Sequence, residues 1–238
     1  MTIRLHVEIA LRAGIRLSLP PGAVRHAQVR RAQPGDVLCL FDGLGADWPA
    51  EVLSMGRSEV TVLVGEPVAV ANELACAVTL ALGMPANDRM DALVEKATEL
   101  GVAALQPLLC ERSVLRLDGE RAARKQAHWQ AVALAACEQS GRARVPVVAP
   151  VFGLAQWLAT ARMDGQRLLL SPQPGARPLH QVTLGPALCA LSGPEGGLSP
   201  AEEVAALAAG FTAVGLGPRV LRADTAPLAL LAWVGLRG

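Results

Sequence analysis

Three loops of this 238-residue chain, each following a run that reads as a strand, carry residues suited to holding a ligand. They are Ser171-Pro172, then Ser192-Gly193-Pro194-Glu195-Gly196-Gly197-Leu198, then Gly215-Leu216-Gly217-Pro218-Arg219-Val220-Leu221-Arg222. Glycine lets the backbone approach a ligand closely and present its N–H groups. Loops at the carboxyl ends of strands form the binding crevice of an α/β sheet, so the three together predict one shared pocket. Neither G-x-G-x-x-G nor G-x-x-x-x-G-K-[ST] is present in them, and the phosphate-loop lysine is missing. A dinucleotide or a nucleoside triphosphate is therefore disfavoured.

Metal and thiol chemistry find no support. The five cysteines (Cys39, Cys76, Cys110, Cys137, Cys189) and four histidines (His6, His26, His128, His180) are scattered, without C-x-x-C or H-E-x-x-H spacing. No metal and no disulfide framework is expected. No run approaches the roughly 18 apolar residues of a membrane span. Arg4, Glu8, Arg12 and Arg16 interrupt the N-terminal segment, which excludes an apolar signal-peptide core. A cytoplasmic protein is expected. The formal net charge is +1, but its distribution is uneven. Residues 1–31 carry Arg4, Arg12, Arg16, Arg25, Arg30 and Arg31 against Glu8 alone. Residues 112–144 carry Arg112, Arg116, Arg121, Arg124, Lys125, Arg142 and Arg144 against three acids. Local basic patches on a near-neutral chain suit a phosphate backbone.

The elements that must position these residues change character along the chain. Before residue 70, short strands at 37–43, 48–54 and 59–65 with glycine turns predict a small barrel or sandwich. Residues 69–74 read as a linker. From residue 75 strands alternate with helices, which predicts a mostly parallel α/β sheet. The run 75–83 reads as a strand buried on both faces. In 87–101, Met90, Leu93, Val94, Ala97 and Leu100 fall on one helix face. Asn87 or Asp88 is placed to cap the start of that helix and Gly101 its end. Strands are expected at 102–110, 145–149, 167–172, 187–193 and 212–217. Helices are expected near 119–138, 153–161, from Pro200 behind a Ser199 cap, and from Thr225. The predicted domains are 1–70 and 75–238.

The chain resembles the bacterial small-subunit (16S) ribosomal RNA uridine-N3 methyltransferases, the RsmE family of the SPOUT class. The resemblance rests on Gln33-Pro34-Gly35-Asp36 with Leu40-Phe41-Asp42-Gly43, on Asp88-Arg89-Met90 with Glu95 through Gly101, and on Glu111-Arg112-Ser113. Glu138-Gln139-Ser140-Gly141-Arg142-Ala143-Arg144-Val145-Pro146, Leu191 through Glu203, and Leu216 through Arg222 complete it. It implies a PUA-like β-barrel that binds RNA, followed by an α/β domain with a C-terminal trefoil knot, and a homodimer with exposed apolar surface on the final helix around Trp233. It implies S-adenosylmethionine as cofactor, held by Leu170, Gly193, Glu195, Gly196, Gly197, Leu216, Gly217, Val220 and Leu221. It implies 16S ribosomal RNA of the small subunit as partner. The chain departs from the family pattern at Ala86-Asn87, where the family reads Lys-Gly, and at Ala223-Asp224-Thr225, where it reads Thr-Glu-Thr. A related knotted methyltransferase acting on transfer RNA or a ribose 2′-oxygen, and an RNA-binding assembly factor without activity, are the alternative readings.

Methylating N3 of uridine requires that nitrogen to lose a weakly acidic proton, leaving negative charge over N3 and its flanking carbonyl oxygens. A guanidinium held against those oxygens stabilises the anion. Arg219 is the first candidate and Arg222 the second, with Asp224 as proton acceptor or arginine orienter. Arg4, Arg25, Arg30, Arg31, Arg89, Arg112, Arg142 and Arg144 are the candidates for RNA phosphate contacts.

Overall fold

The computed structural model describes residues 2–237, with the side chain of Asn87 outside the described residues. Internal contacts divide the chain into two units. One holds the residues up to Glu73 together with Cys137–Val145; the other holds Leu74–Ala136 and the residues from Pro146 onward.

The first unit contains β1 (Arg4–His6), β2 (Arg16–Ser18), α1 (Pro21–Val29), β3 (Val37–Phe41), β4 (Ala46–Met55), β5 (Val60–Val64) and β6 (Val68–Ala69). They build a six-stranded sheet in the order β1-β3-β4-β5-β2, with β6 pairing β4. Only β1 and β3 run parallel; the other pairings are antiparallel. Leu38, Leu40, Ala50, Val52, Val60, Val62 and Val64 fill its core, and α1 adds Ala23, Val24 and Ala27. The short β1 and β2 and the helix α1 were not expected from the sequence. Three-residue strands are too short to show alternation, and the buried face of α1 is mostly alanine. Residues 137–145, expected in the second domain, group with the first. Cys137 and Ala143 pack on Phe41, and Gly45 N donates to Ala143 O at 3.0 Å.

The second unit contains β7 (Ala77–Gly83), α2 (Asn87–Glu99), β8 (Ala104–Leu109), α3 (Gly119–Ser140, whose last residues belong to the first unit), β9 (Val147–Val148), β10 (Phe152–Gly153) and α4 (Leu154–Thr160). It continues with β11 (Gln166–Leu170), β12 (Arg177–Pro178), β13 (Ala187–Ser192), α5 (Pro200–Ala208), β14 (Thr212–Gly215) and α6 (Thr225–Gly235). The eight strands order as β10-β8-β7-β13-β11-β14-β12, with β9 on β8, and every pairing is parallel. Met90, Leu93, Val94 and Ala97 of α2 are fully or almost fully buried against this sheet. Each of the larger three side chains stabilises the fold by about 1.5–3 kcal/mol through burial. Gly101, at φ +91°, ends α2 in the left-handed region glycine favours. At the other end the cap position is Ala86, with no side-chain bond, and Asp88 lies in the first turn instead. The Asn87 alternative falls on a side chain outside the described residues. Among the described residues no helix is long and apolar enough to cross a membrane.

Candidate functional site

Parallel pairing decides where the loops go. Strand β11 lies between β13 and β14, so the loops that leave their carboxyl ends emerge side by side at one rim. Around them lies a cleft of about 540 Å³. Its wall includes Leu170, Gly193, Glu195, Gly196, Gly197, Leu216, Gly217, Val220 and Leu221, all nine residues expected to hold the cofactor, together with Arg219 and Arg222.

Each loop is set by local bonds. Ser171 N donates to Val214 O at 2.9 Å, and Gln173 N donates to Ser171 Oγ at 3.2 Å. In the second loop Gly197 adopts φ +69°, and its N–H donates to Pro194 O at 2.8 Å. The Ser199 hydroxyl then caps α5, accepting from Glu202 N at 3.2 Å while Glu202 Oε2 accepts from Ser199 N at 2.9 Å. That reciprocal arrangement is a capping box. A Cβ on Gly193 would stand 2.8 Å from Leu198 N and 3.0 Å from the Gly197 carbonyl carbon, so the loop closes tightly only with glycine there. The third loop ends where Thr225 N and Ala226 N both donate to Arg222 O at 3.0 Å, starting α6.

Neighbouring loops brace these. Arg112 Nη1 donates to Gly196 O at 3.0 Å and to Leu198 O at 3.2 Å. Glu195 Oε1 accepts from Ala86 N at 2.9 Å and lies 3.6 Å from Arg89 Nη1. Arg89 and Arg112 line the cleft as well, so both stand at the pocket and are partly engaged in shaping it.

Arg219 and Arg222 are different. Both are exposed, and among the described residues neither guanidinium has a hydrogen bond or ion pair. Asp224 is not part of the cleft wall, although Ala223 and Ala226 are. It sits at the cap position of α6 without a side-chain cap bond, and its Oδ1 is buried with no partner. Ser192, read in the second loop, lines the cleft too; Glu203 and Gln173 line it and were missed from the sequence. For Glu203 the signal was present: it stands four residues after the Ser199 cap, on the first turn of α5, beside the glycine loop.

Two residues expected at RNA phosphates are corrected. Arg142 is 3% exposed and held by Glu73, with Nε 3.1 Å from Oε1. Arg4 forks onto Asp47, with Nη2 2.9 Å from Oδ1, and also donates to Arg142 O at 3.2 Å. Burial disfavours the Arg4 charge, but the hydrogen bond to Asp47 and the coulombic attraction of the groups around it together outweigh burial and leave its pKa raised. These two guanidiniums hold the first unit together and are not available to a phosphate. Arg25, Arg30, Arg31 and Arg144 are exposed. The cysteines are buried and free; burial pushes Cys39, Cys110 and Cys189 up to about 12 and Cys137 to about 11. Among the described residues no group of three or more His, Cys, Asp or Glu is arranged to hold a metal ion.

A family profile described as an RNA methyltransferase domain matches residues 72–235, and one described as an RNA methyltransferase PUA domain matches residues 19–65. The ribosomal RNA small subunit methyltransferase E of Synechocystis is 36% identical, covering 87% of this chain and 68% of that protein. The Bacillus subtilis protein of the same name is 33% identical, over 84% of this chain and 81% of its own. This chain belongs to the ribosomal RNA small subunit methyltransferase E family. A solved structure of such an enzyme from Neisseria gonorrhoeae, bound to S-adenosyl methionine, superposes with a TM-score of 0.93 at 35% identity. That match covers 100% of this chain and 98% of the other. The family is thus shared across both units, and the RNA methyltransferase profile takes in all three loops of the cleft.

Proposed function

We propose that this chain methylates N3 of a uridine in 16S ribosomal RNA of the small subunit, using S-adenosylmethionine. The observation that carries the reading is the unpaired guanidinium of Arg219 in the wall of the cleft that the glycine loops build.

The residues present fit the cofactor. The cleft volume falls within the roughly 300–1,000 Å³ of small-molecule pockets. Leu170, Leu216 and Leu221 offer apolar walls, and Gly193, Gly196 and Gly197 offer backbone without side chains. The carboxylates of Glu195 and Glu203 complement a cationic donor. S-adenosylmethionine supplies, when bound, a methyl group on a sulfonium centre that a nucleophile takes by in-line displacement. The loops then align donor and acceptor, which is worth up to about 7–11 kcal/mol of barrier. Arg219 lies against the uridine carbonyl oxygens and holds the negative charge left when N3 loses its proton. Arg222 assists from the same loop; Asp224 stands outside the cleft wall and, among the described residues, is paired with neither arginine, so it takes no direct part in the step.

Arg25, Arg30, Arg31 and Arg144 contact RNA phosphates, as do the free edges of Arg89 and Arg112. The six-stranded sheet closes as a PUA-like barrel, a reading supported by the PUA profile. The final segment is threaded as a trefoil knot, a reading supported by the family and by β11 inserting between β13 and β14. The chain works in the cytoplasm as a homodimer; Leu236, at the end of the final helix, is 88% exposed and supports the dimer, whereas Trp233, expected exposed, is half-buried against the core beneath Arg237.

The test is incorporation of labelled methyl groups into small ribosomal subunits from a strain lacking this chain, followed by nucleoside analysis. Wild type labels 3-methyluridine, and Arg219→Ala lowers kcat by about 10²–10³, the usual effect of removing one electrostatic stabiliser. Equal incorporation by the variant refutes the role of Arg219, and label in another nucleoside refutes the target.

A further inference from the structure

Outside the cleft, a groove of about 420 Å³ is lined by Leu115, Leu117, Arg121, Arg124, Lys125 and His128. The four basic residues belong to α3 and are spaced i, i+3, i+4, i+7, so they share one helix face. Leu117 is 6% exposed and Leu115 half-buried, which gives the groove an apolar floor under a cationic wall.

The charge of this wall is not neutralised from within. Among the described residues the side chains of Arg121 and Lys125 have no hydrogen bond or ion pair, although Lys125 is half-buried. The acid nearest Arg124 is Glu120 at 3.9 Å, with side chains 74% and 92% exposed, a pairing that water screens. Asp91 of α2 reaches the groove-lining His128, but it is committed: Oδ2 lies 2.8 Å from His128 Nε2, and Oδ1 accepts from Trp129 Nε1 at 2.9 Å. Like charges at these spacings repel and weaken a helix by about 0.2–0.5 kcal/mol per pair, a cost that a bound anion would offset.

The groove is tied to the cleft by one short loop. Arg112, in the cleft wall, and Leu115 and Leu117, in the groove floor, lie within six residues. That loop is braced: Cys110 N donates to Ser113 Oγ at 3.0 Å, and Arg116 Nη2 donates to Glu111 O at 2.7 Å.

We infer that the groove between the 115–117 loop and the basic face of α3 binds the phosphodiester backbone of the RNA strand whose uridine enters the cleft. This inference rests on the proposed function above. Guanidinium forks suit phosphate oxygens, and the leucine floor suits the ribose between two phosphates.

The test uses the full chain, a short fluorescent oligouridylate, and binding measured from about 50 to about 200 mM KCl. Arg121→Gln with Lys125→Gln removes two contacts, so the slope of log affinity against log salt falls by about 1.4, at about 0.7 per contact to single strands. The affinity loss caused by the double variant therefore shrinks about sevenfold across that salt range. Arg121→Lys with Lys125→Arg keeps the charges and keeps the wild-type slope. Calorimetric titration with S-adenosylmethionine serves as the folding control and stays at the wild-type value in both variants. An unchanged slope in the glutamine variant, with that titration intact, overturns the groove. A reduced slope in the glutamine variant, alongside a wild-type chain that labels no ribosomal RNA, overturns the proposed function and leaves the groove standing.

Discussion

Gly193→Ala is the sharpest test of the cleft. The added Cβ would stand 2.8 Å from Leu198 N, 3.0 Å from the Gly197 carbonyl carbon and 3.2 Å from Gly197 Cα. All three are backbone atoms, so no side chain can swing away, and the loop itself must open. Opening strains the Gly197 N–H bond to Pro194 O and the two bonds from Arg112 to Gly196 O and Leu198 O. Forcing a methyl group into a packed site costs about 1–3 kcal/mol. If that cost falls on the ligand-ready loop, affinity for S-adenosylmethionine drops by about 5- to 140-fold, at about 1.4 kcal/mol per tenfold. Isothermal titration of the folded variant measures it directly. Gly22→Ala is the control, because a Cβ there meets nothing within 4 Å. Wild-type affinity in Gly193→Ala, with thermal stability intact, would show that the loop does not hold the donor.

Three further outcomes follow from the same contacts. Arg142→Ala strands Glu73, whose side chain is 26% exposed, and costs about 3 kcal/mol by denaturant titration, the low end for breaking a buried pair. A cost under about 0.5 kcal/mol, as for an ordinary surface change, would return Arg142 to the phosphate-binding set. Ser199→Ala removes the capping-box acceptor and costs about 1 kcal/mol, with a weaker S-adenosylmethionine titration because α5 begins at the glycine loop. Stability also falls at alkaline pH. The buried thiols have folded pKa values of about 11–12, above the ordinary value of 9, so their contribution is complete below pH 9 and lost as pH rises towards 12. The chain has no tyrosine, so replacing Cys189, whose thiol burial pushes up to about 12, with alanine should flatten the fall in melting temperature between pH 9 and 11. An unchanged slope would mean that the thiolate is solvated in the folded state.

Regular elements with long, periodic signals were readable beforehand. Helix α2 announced itself through Met90, Leu93, Val94 and Ala97, and α5 through Ser199, Pro200 and Glu202. Both depend on neighbours within one or two turns. Helix α1 was not readable, since Ala23, Val24 and Ala27 make a weak stripe and Pro20 offers no side-chain cap. The strand read at 145–149 shrank to Val147–Val148, because only β8 pairs with it. Glu203 carried a local signal in its place on the first turn of α5, but that this turn lines the cleft depends on how α5 packs.

Local chemistry in the chain was enough to place glycine where backbone must come close, and to order three loops behind three strands. It could not tell one arginine from another. Arg142 and Arg219 are the same side chain in basic neighbourhoods, yet one is buried on a carboxylate 69 positions away and the other stands unpaired in a cleft. A guanidinium is free or spent according to what the fold packs against it, and that depends on contacts between residues far apart in the chain. The tertiary structure therefore decided which guanidiniums remain unpaired, while the sequence had already decided where a ligand would find bare backbone.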